Sequence, residues 1–435
     1  MLSLLSLLLL HATPAPVSNG DLVAIRVKRA ETVAHGPIEH ALILVEGGKI
    51  IEIGEDLPVE RGIRVIERPD WIATPGLIDA HTRVGAGRSP GRGFEPQARP
   101  TVEIDPRSDV WPELLELGVT TLGFYPDGGG IPGQAIALQP YGKTVAEMLV
   151  AEPAYLKIFL QASASSKKAV RDAFKKVDEY QEKVAKEREK WDKEQEKKSS
   201  KSSSTKKEEE KKDEKQEEAK PDDKSASVSQ EETKDDKKDD GVFVPSEPDE
   251  KIKPFIDLRA KSLTAMMSIR KAADYLHLLD VITREKDVQW FLQFPLSDDC
   301  DMYEVAQKIG EKGLLVVTAP EITLQTNSLR ERNIPAELVR AGAKLVLTPR
   351  QESEQGFRDW LPDVGRLVGQ GLSREAALAA VTLEAARALG LEERLGSLEK
   401  EKSANIVFWS GDPLEPSSRV EAVMLAGKFV VGDLK

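Results

Sequence analysis

Apolar and polar residues alternate from Leu22 to Lys28, a two-residue period that predicts a half-buried strand. Ala41 to Val45 and Lys49 to Ile53 are further strand-like runs, and Glu46-Gly47-Gly48 between them predicts a hairpin turn. Arg64 to Glu67 adds a short run, so this end of the chain reads as a small sheet domain. It leads straight into Thr74-Pro75-Gly76-Leu77-Ile78-Asp79-Ala80-His81-Thr82-Arg83-Val84. There a Pro-Gly turn opens an apolar run that ends on Asp, a small residue and His, the pattern of a buried strand delivering polar side chains at its C-terminal end.

A different unit then recurs. Val110 to Leu117 has helical spacing, Gly118 stops it, and Val119 to Phe124 reads as a strand. Asp301 to Lys312, Gly313 and Leu314 to Thr318 repeat the unit, as do Pro335 to Ala341, Gly342 and Ala343 to Thr348. Helix, glycine, apolar strand is the αβ step of a parallel sheet, either doubly wound or closed as a (β/α) barrel. Ser262 to Leu279 reads as a strand or helix around Met266-Met267, followed by a helix ending near Ile282, and Val288 to Phe294 as a strand. Ser373 and Thr382 are predicted N-caps of helices over Arg374 to Val381 and Leu383 to Leu389, with Gly390 as the stop. Ala404 to Trp409 is a predicted strand, and Val420 to Leu425 with Lys428 to Val431 a hairpin turning at Ala426-Gly427.

The repeat is interrupted. From Lys167 to Lys198 sparse apolar residues (Val170, Phe174, Val177, Tyr180, Val184, Trp191) sit in a charged, heptad-like segment, which predicts a solvated helix held by i,i+4 Glu–Lys pairs and a coiled-coil-like pattern. From Ser199 to about Asp240 the chain is Ser, Lys, Glu and Asp with almost nothing apolar, and too little surface can be buried to offset ordering, so disorder is expected. Residues 167–250 therefore read as a charged helical and disordered insertion, a passive linker in preference to a specific interaction tail, and not a nucleic-acid or metal site.

Composition narrows the partners. A length of 435 residues suits one large domain and a smaller one. The charged fraction is 31% and the net charge −12, which disfavours nucleic acid and anionic membranes as partners. The one cysteine, Cys300, excludes an intramolecular disulfide and reads as a packed small hydrophobe. Leu2 to Leu10 is an apolar run followed by His11-Ala12-Thr13-Pro14-Ala15-Pro16, so residues 1–18 read as a signal peptide of an exported protein, periplasmic or extracellular. The run is too short for a permanent anchor, and no integral membrane segment is expected after its removal.

Pro75 to Arg83 resembles the first-strand signature of the amidohydrolase superfamily, P-G-x-I-D-x-H-x-H, with Arg83 in place of the last His. The runs Gly371 to Leu378, Val381-Thr382, Ala385 to Leu391 and Gly396 to Glu399 are similar to the closing helices of that family. Ala404 to Pro413 and the last hairpin are similar to its C-terminal strands. Gly118-Val119-Thr120-Thr121 and the glycine-rich Asp127 to Gln134 resemble the imidazolonepropionase-like branch. The resemblance covers most of the chain outside the signal and insertion. It implies an α/β fold, a (β/α)8 TIM-like barrel beside a composite β-sandwich built from both ends of the chain. The implied division is 19–74 and 391–435 for the sandwich, 75–166 and 251–390 for the barrel. That leaves roughly 230 residues for the barrel, near the lower end of its usual size, so one or two βα units are expected to be short or missing.

The resemblance also implies a chemistry. Such hydrolases hold one or two divalent metals at the barrel mouth, where the metal activates a water and polarises the scissile carbonyl. Their ligands are the His-x-His of the first strand, often a carboxylated Lys or a Glu, two later His residues and a last-strand Asp. This chain has five His: His11, His35, His40, His81 and His277. Only His81 stands at a ligand position, as a remnant metal ligand. Met267 and Ile269 take the places of a later His-x-His, the next strand ends Leu292-Gln293-Phe294, and Leu345 to Thr348 is followed by Pro349-Arg350 where Asp belongs. Arg83 and Arg350 oppose a divalent cation and are candidate binding residues for an anionic small molecule. Asp79 reads as a structural hydrogen-bonding group, and no catalytic residue is assigned. The expectation is a pseudoenzyme or binding subunit with no cofactor. The rival readings are an active hydrolase of a C–N bond in a cyclic amide or peptide-like substrate, with a divalent metal such as Zn, and a non-catalytic partner of an active paralogue in a homo- or hetero-oligomer.

Overall fold

Five strands open the folded chain: β1 (Val23–Glu31), β2 (Pro37–Glu39), β3 (Ala41–Glu46), β4 (Lys49–Glu55) and β5 (Arg64–Pro75). They belong to a computed structural model that describes residues 22–87, 89, 91–209, 242–297 and 299–432. The expected signal peptide and residues 210–241 of the expected disordered insertion lie outside the described residues. Next come β6 (Leu77–Thr82), β7 (Arg92–Phe94), α1 (Val110–Glu116), β8 (Val119–Phe124), β9 (Gly128–Ile131), β10 (Gly133–Gln134), β11 (Ile136–Leu138), α2 (Val145–Met148), β12 (Leu149–Ala151), β13 (Tyr155–Phe159) and α3 (Ala164–Glu209). The second half holds α4 (Lys253–Arg259), β14 (Thr264–Ser268), α5 (Ala272–Ile282), β15 (Trp290–Gln293), α6 (Ala306–Glu311), β16 (Leu315–Thr318), β17 (Thr323–Leu324), β18 (Glu331–Arg332), α7 (Ile334–Ala341) and β19 (Lys344–Leu347). Helices α8 (Glu354–Gly369), α9 (Arg374–Ala380) and α10 (Leu383–Ala388) and strands β20 (Ile406–Trp409), β21 (Val420–Leu425) and β22 (Lys428–Val431) close the chain.

The two ends of the chain build one eight-stranded sheet in the order β22-β21-β20-β5-β1-β3-β4, with β2 on β1. The join is the antiparallel pairing of β20 with the end of β5, Ile406 opposite Pro75. Both faces of the joining strands are buried, because alternate side chains serve different cores. Ile406 and Phe408 pack with Ile25, Ile43 and Met424. Val407 and Trp409 pack instead with Trp111, Leu114 and Trp360 of α1 and α8.

Past the sheet, β6 pairs with β8 in parallel, and β13, β14, β15, β16 and β19 form a second parallel series. Between the series runs the segment of β10 and β11, antiparallel to β13 on one side and to β8 on the other. Among the described residues there are thus seven parallel strands and one reversed one. Helix α10 packs against both β19 and β6, the outer members of the series. The strands are buried on two sides. Leu156, Ile158, Ala265, Met267, Leu292 and Val316 face the helices. Ile78, Ala80, Tyr155, Met266, Phe291, Val317 and Val346 face one another as an inner core.

Two local expectations are corrected. Thr382 does not cap α10: its side chain makes no cap bond, and its hydroxyl instead donates back to the Leu378 carbonyl at 2.6 Å. Helix α3 is 46 residues long and continues through residues 199–209, where disorder was expected. Nothing between Ala164 and Glu209 is Gly or Pro, and i,i+4 pairs such as Lys175–Glu179 and Lys183–Glu187 support its exposed face. Its first turns bury Val170, Phe174 and Val177. Further along, Tyr180 donates to the Ser246 carbonyl at 2.9 Å and Trp191 meets the edge of Phe243 at 6.0 Å, so the returning chain packs on both.

Candidate functional site

The polar residues converge where the inner core meets the C-terminal ends of the strands. Strand β6 ends there with Asp79 and His81. Asp79 is 1% exposed, and its carboxylate accepts the His81 backbone N–H at 3.1 Å. Burial is the main cause that lifts its pKa to about 7, with the charge of Glu352 adding to it and the His81 N–H opposing it. The His81 ring stacks on Tyr125 with centroids 3.8 Å apart. Its Nδ1 lies 2.9 Å from the Tyr155 hydroxyl, which donates to the Ala80 carbonyl at 3.2 Å. With that hydroxyl hydrogen committed to Ala80, the imidazole donates through Nδ1 and keeps its lone pair on Nε2. Burial, and secondarily the charge of Lys157, hold the His81 pKa well below the ordinary value, so the ring is neutral.

Lys157 stands two residues beyond Tyr155 on β13, on the same side of the strand. It is 8% exposed, and its Nζ lies 3.7 Å from the centroid of the Tyr125 ring. Burial draws its pKa down to about 8, against the attraction of Glu352 and with the repulsion of Arg83. Tyr125 donates to Glu352 at 2.8 Å, and burial raises both pKa values.

Arg83 and Arg350 are not brought together. Arg83 is largely buried, pairs with Glu103 at 2.9 Å and donates to the Tyr125 carbonyl at 2.8 Å. Glu103 also takes Arg92 at 2.7 Å. Arg350 lies half-exposed against Glu321 at 3.1 Å and Asp363 at 3.9 Å. Each guanidinium is therefore already paired with carboxylate.

The later strand ends carry no imidazole. Met267 and Ile269, assigned from sequence to ligand positions, point into the helix-facing core. The inner positions of β14 are Met266 and Ser268, and the Ser268 hydroxyl donates to Gln293 of β15 at 2.5 Å. On β19 the inner residue is Val346. Of the other histidines, His35 bonds Glu399 at 3.0 Å on the sheet domain, His40 is exposed there, and His277 lies on α5. Among the described residues, no group of three or more His, Cys, Asp or Glu side chains is placed to hold a metal ion. Beside the one imidazole stand Asp79, Glu352 and Lys157, the two carboxylates already accepting from the His81 N–H and the Tyr125 hydroxyl. Cys300 is buried, as expected of a packed hydrophobe. No helix among the described residues is long and apolar enough to cross a membrane.

Sequence reasoning missed Lys157, Tyr125, Tyr155 and Glu352. The available signal was a lysine inside the otherwise apolar run Tyr155-Leu156-Lys157-Ile158-Phe159.

Comparison with known proteins agrees with this architecture. The model of an amidohydrolase family matches residues 340–431. An imidazolonepropionase of Pseudomonas aeruginosa is 66% identical over 124 residues, 27% of this chain and 28% of that protein. One of Erwinia tasmaniensis is 62% identical over 39 residues, 9% of this chain and 10% of that protein. The matches thus span well under half the length of these curated relatives. The crystal structure of an amidohydrolase from Thermotoga maritima superposes with a TM-score of 0.71 at 20% identity, covering 94% of this chain and 100% of that one.

Proposed function

We propose that this chain, similar to amidohydrolases over residues 340–431 and in its fold, is a metal-free member of the amidohydrolase superfamily that binds a ligand without hydrolysing it. In this reading the seven parallel strands and the reversed segment close as an incomplete TIM-like barrel, with α10 bridging β19 and β6. The observation that carries the reading is the state of the mouth. Its one histidine is fastened by Tyr155 and covered by Tyr125, and the cations Lys157 and Arg83 stand where further ligands would converge. A divalent ion there would meet the charges of Lys157 and Arg83 and one imidazole, while the carboxylates of Asp79 and Glu352 are engaged by the His81 N–H and the Tyr125 hydroxyl.

The test is elemental analysis of the purified protein after exchange into metal-free buffer, together with an imidazolonepropionate hydrolysis assay. Zinc, manganese and iron are expected below about a tenth of an equivalent, with no hydrolysis above buffer, before or after incubation with each metal. A stoichiometric metal that is lost in His81→Ala would overturn the reading.

A further inference from the structure

We propose that a cavity at the ends of β13, β14 and β15 binds a small monocarboxylate through Arg270. The cavity holds about 440 Å³, within the usual range for small-molecule sites. Gln161 follows β13, Arg270 and Lys271 follow β14, and Ser297 and Asp299 follow β15, so three adjacent parallel strands deliver its walls at their C-terminal ends. The proposal gives a chemical class to the ligand of the non-hydrolytic reading, and in that respect rests on it.

The charges around the cavity leave one cation over. Asp274 is 6% exposed and accepts the backbone N–H groups of Ala162 at 2.6 Å and of Arg270 and Lys271 at 3.0 Å each, which ties the loops after β13 and β14 together. Asp301 accepts the Ala272 N–H at 2.8 Å. Lys271 donates to the Asp299 carboxylate at 2.5 Å, and Ser297 donates to it at 2.6 Å. Arg270 differs from these groups. Among the described residues its guanidinium has neither ion pair nor hydrogen bond, and it lies over the Phe159 ring, 5.3 Å from the centroid. That contact supports the cation without an anion. The paired N–H donors of a guanidinium match the two oxygens of a carboxylate. Balance then decides the class of ligand. One negative charge satisfies Arg270, whereas a second, as on phosphate, would meet Asp274, Asp299 and Asp301 with nothing to offset it. Gln161, whose amide both donates and accepts, offers a neutral polar contact to the rest of the ligand.

The experiment is a saturation-transfer NMR titration of the full chain with butyrate. A Kd on the order of 1 mM is expected, with butyramide, butylammonium and inorganic phosphate at least about tenfold weaker. Arg270→Gln is expected to weaken butyrate at least about tenfold, and Arg340→Gln, which removes an exposed guanidinium from α7, by less than about twofold. Phenylglyoxal labelling of the unaltered chain, read by peptide mass spectrometry, locates the site without a variant. Saturating butyrate is expected to slow labelling of Arg270 at least about fivefold and to leave Arg340 unchanged. No butyrate binding, equal binding by Arg270→Gln, or phosphate bound more tightly than butyrate would overturn the inference. Metal content of the same preparation separates the two failures. Butyrate binding that depends on Arg270 in a protein with stoichiometric metal removes the metal-free reading and keeps the carboxylate site. A metal-free protein that binds no butyrate removes only the carboxylate site.

Discussion

At Asp79 the cost of burying a carboxylate becomes a pH dependence. Its pKa in the fold is about 7 against an ordinary 3.8, chiefly because burial disfavours the charged form. Between those values the folded state holds more protons than the unfolded one, so stability is fully present at low pH, declines as pH rises through this window and stays low above it. Asp79→Asn keeps an acceptor for the His81 N–H and removes the charge. It is expected to add on the order of 2–4 kcal/mol near pH 8 and almost nothing near pH 4. Urea denaturation at both pH values checks this, and an equal effect at the two would refute it. Tyr155→Phe removes the oxygen that receives His81 Nδ1 and leaves that buried donor unpaired, an expected loss of about 1–3 kcal/mol in the same assay. Asp79 and His81 were legible because one strand carries both. Lys157, Tyr125 and Glu352 were not, because they come from β13 and from the segments after β8 and β19, which only tertiary pairing brings together.

Whole elements followed the sequence where local chemistry is strict. Gly118, Gly313 and Gly342 end helices in the left-handed region, and the Gly47-Gly48 and Ala426-Gly427 turns close their hairpins. Gly76 matters for a different reason, since a Cβ there would lie 2.1 Å from the Thr120 hydroxyl oxygen. Gly76→Ala is expected to cost about 1–3 kcal/mol by overpacking. The double variant with Thr120→Ala is expected to recover only part of it, as a thermal-unfolding cycle would show, because the Thr120 Cβ itself would lie 2.7 Å from the new methyl. In α3 the last apolar residue is Trp191, and Phe243 of the returning chain packs on it. Replacing residues 193–240 by a short Gly-Ser linker is expected to leave the melting temperature within about 2 °C, because the helix carries no apolar residue beyond that point. A larger drop in calorimetry would show that the charged arm supports the fold.

The molecule as a whole is tied together by shared strands and by a buried ion network. Arg374 of α9 reaches Glu31 of β1 at 2.9 Å and Asp412 at 2.7 Å, and Glu31 also takes Arg29 at 3.1 Å. Glu31 is 5% exposed, so removing one of its partners leaves charge in a poorly solvated place. Arg374→Met is expected to destabilise by about 2–4 kcal/mol and to separate the unfolding of the sheet from that of the α/β unit, visible as a second calorimetric transition. The sequence by itself determined the repeating helix–glycine–strand unit, the strands at both ends of the chain and the poverty of histidine at the strand ends, because these rest on periodicity, turn chemistry and the supply of histidine; that the two ends join was implied only by the family resemblance. Only the tertiary structure decided which face of each strand is inner. A one-residue slip exchanges the two faces of a strand, so Ser268, not Met267, looks inward, and Lys157 stands near His81 and Tyr125 in a cluster that no single stretch of sequence contains.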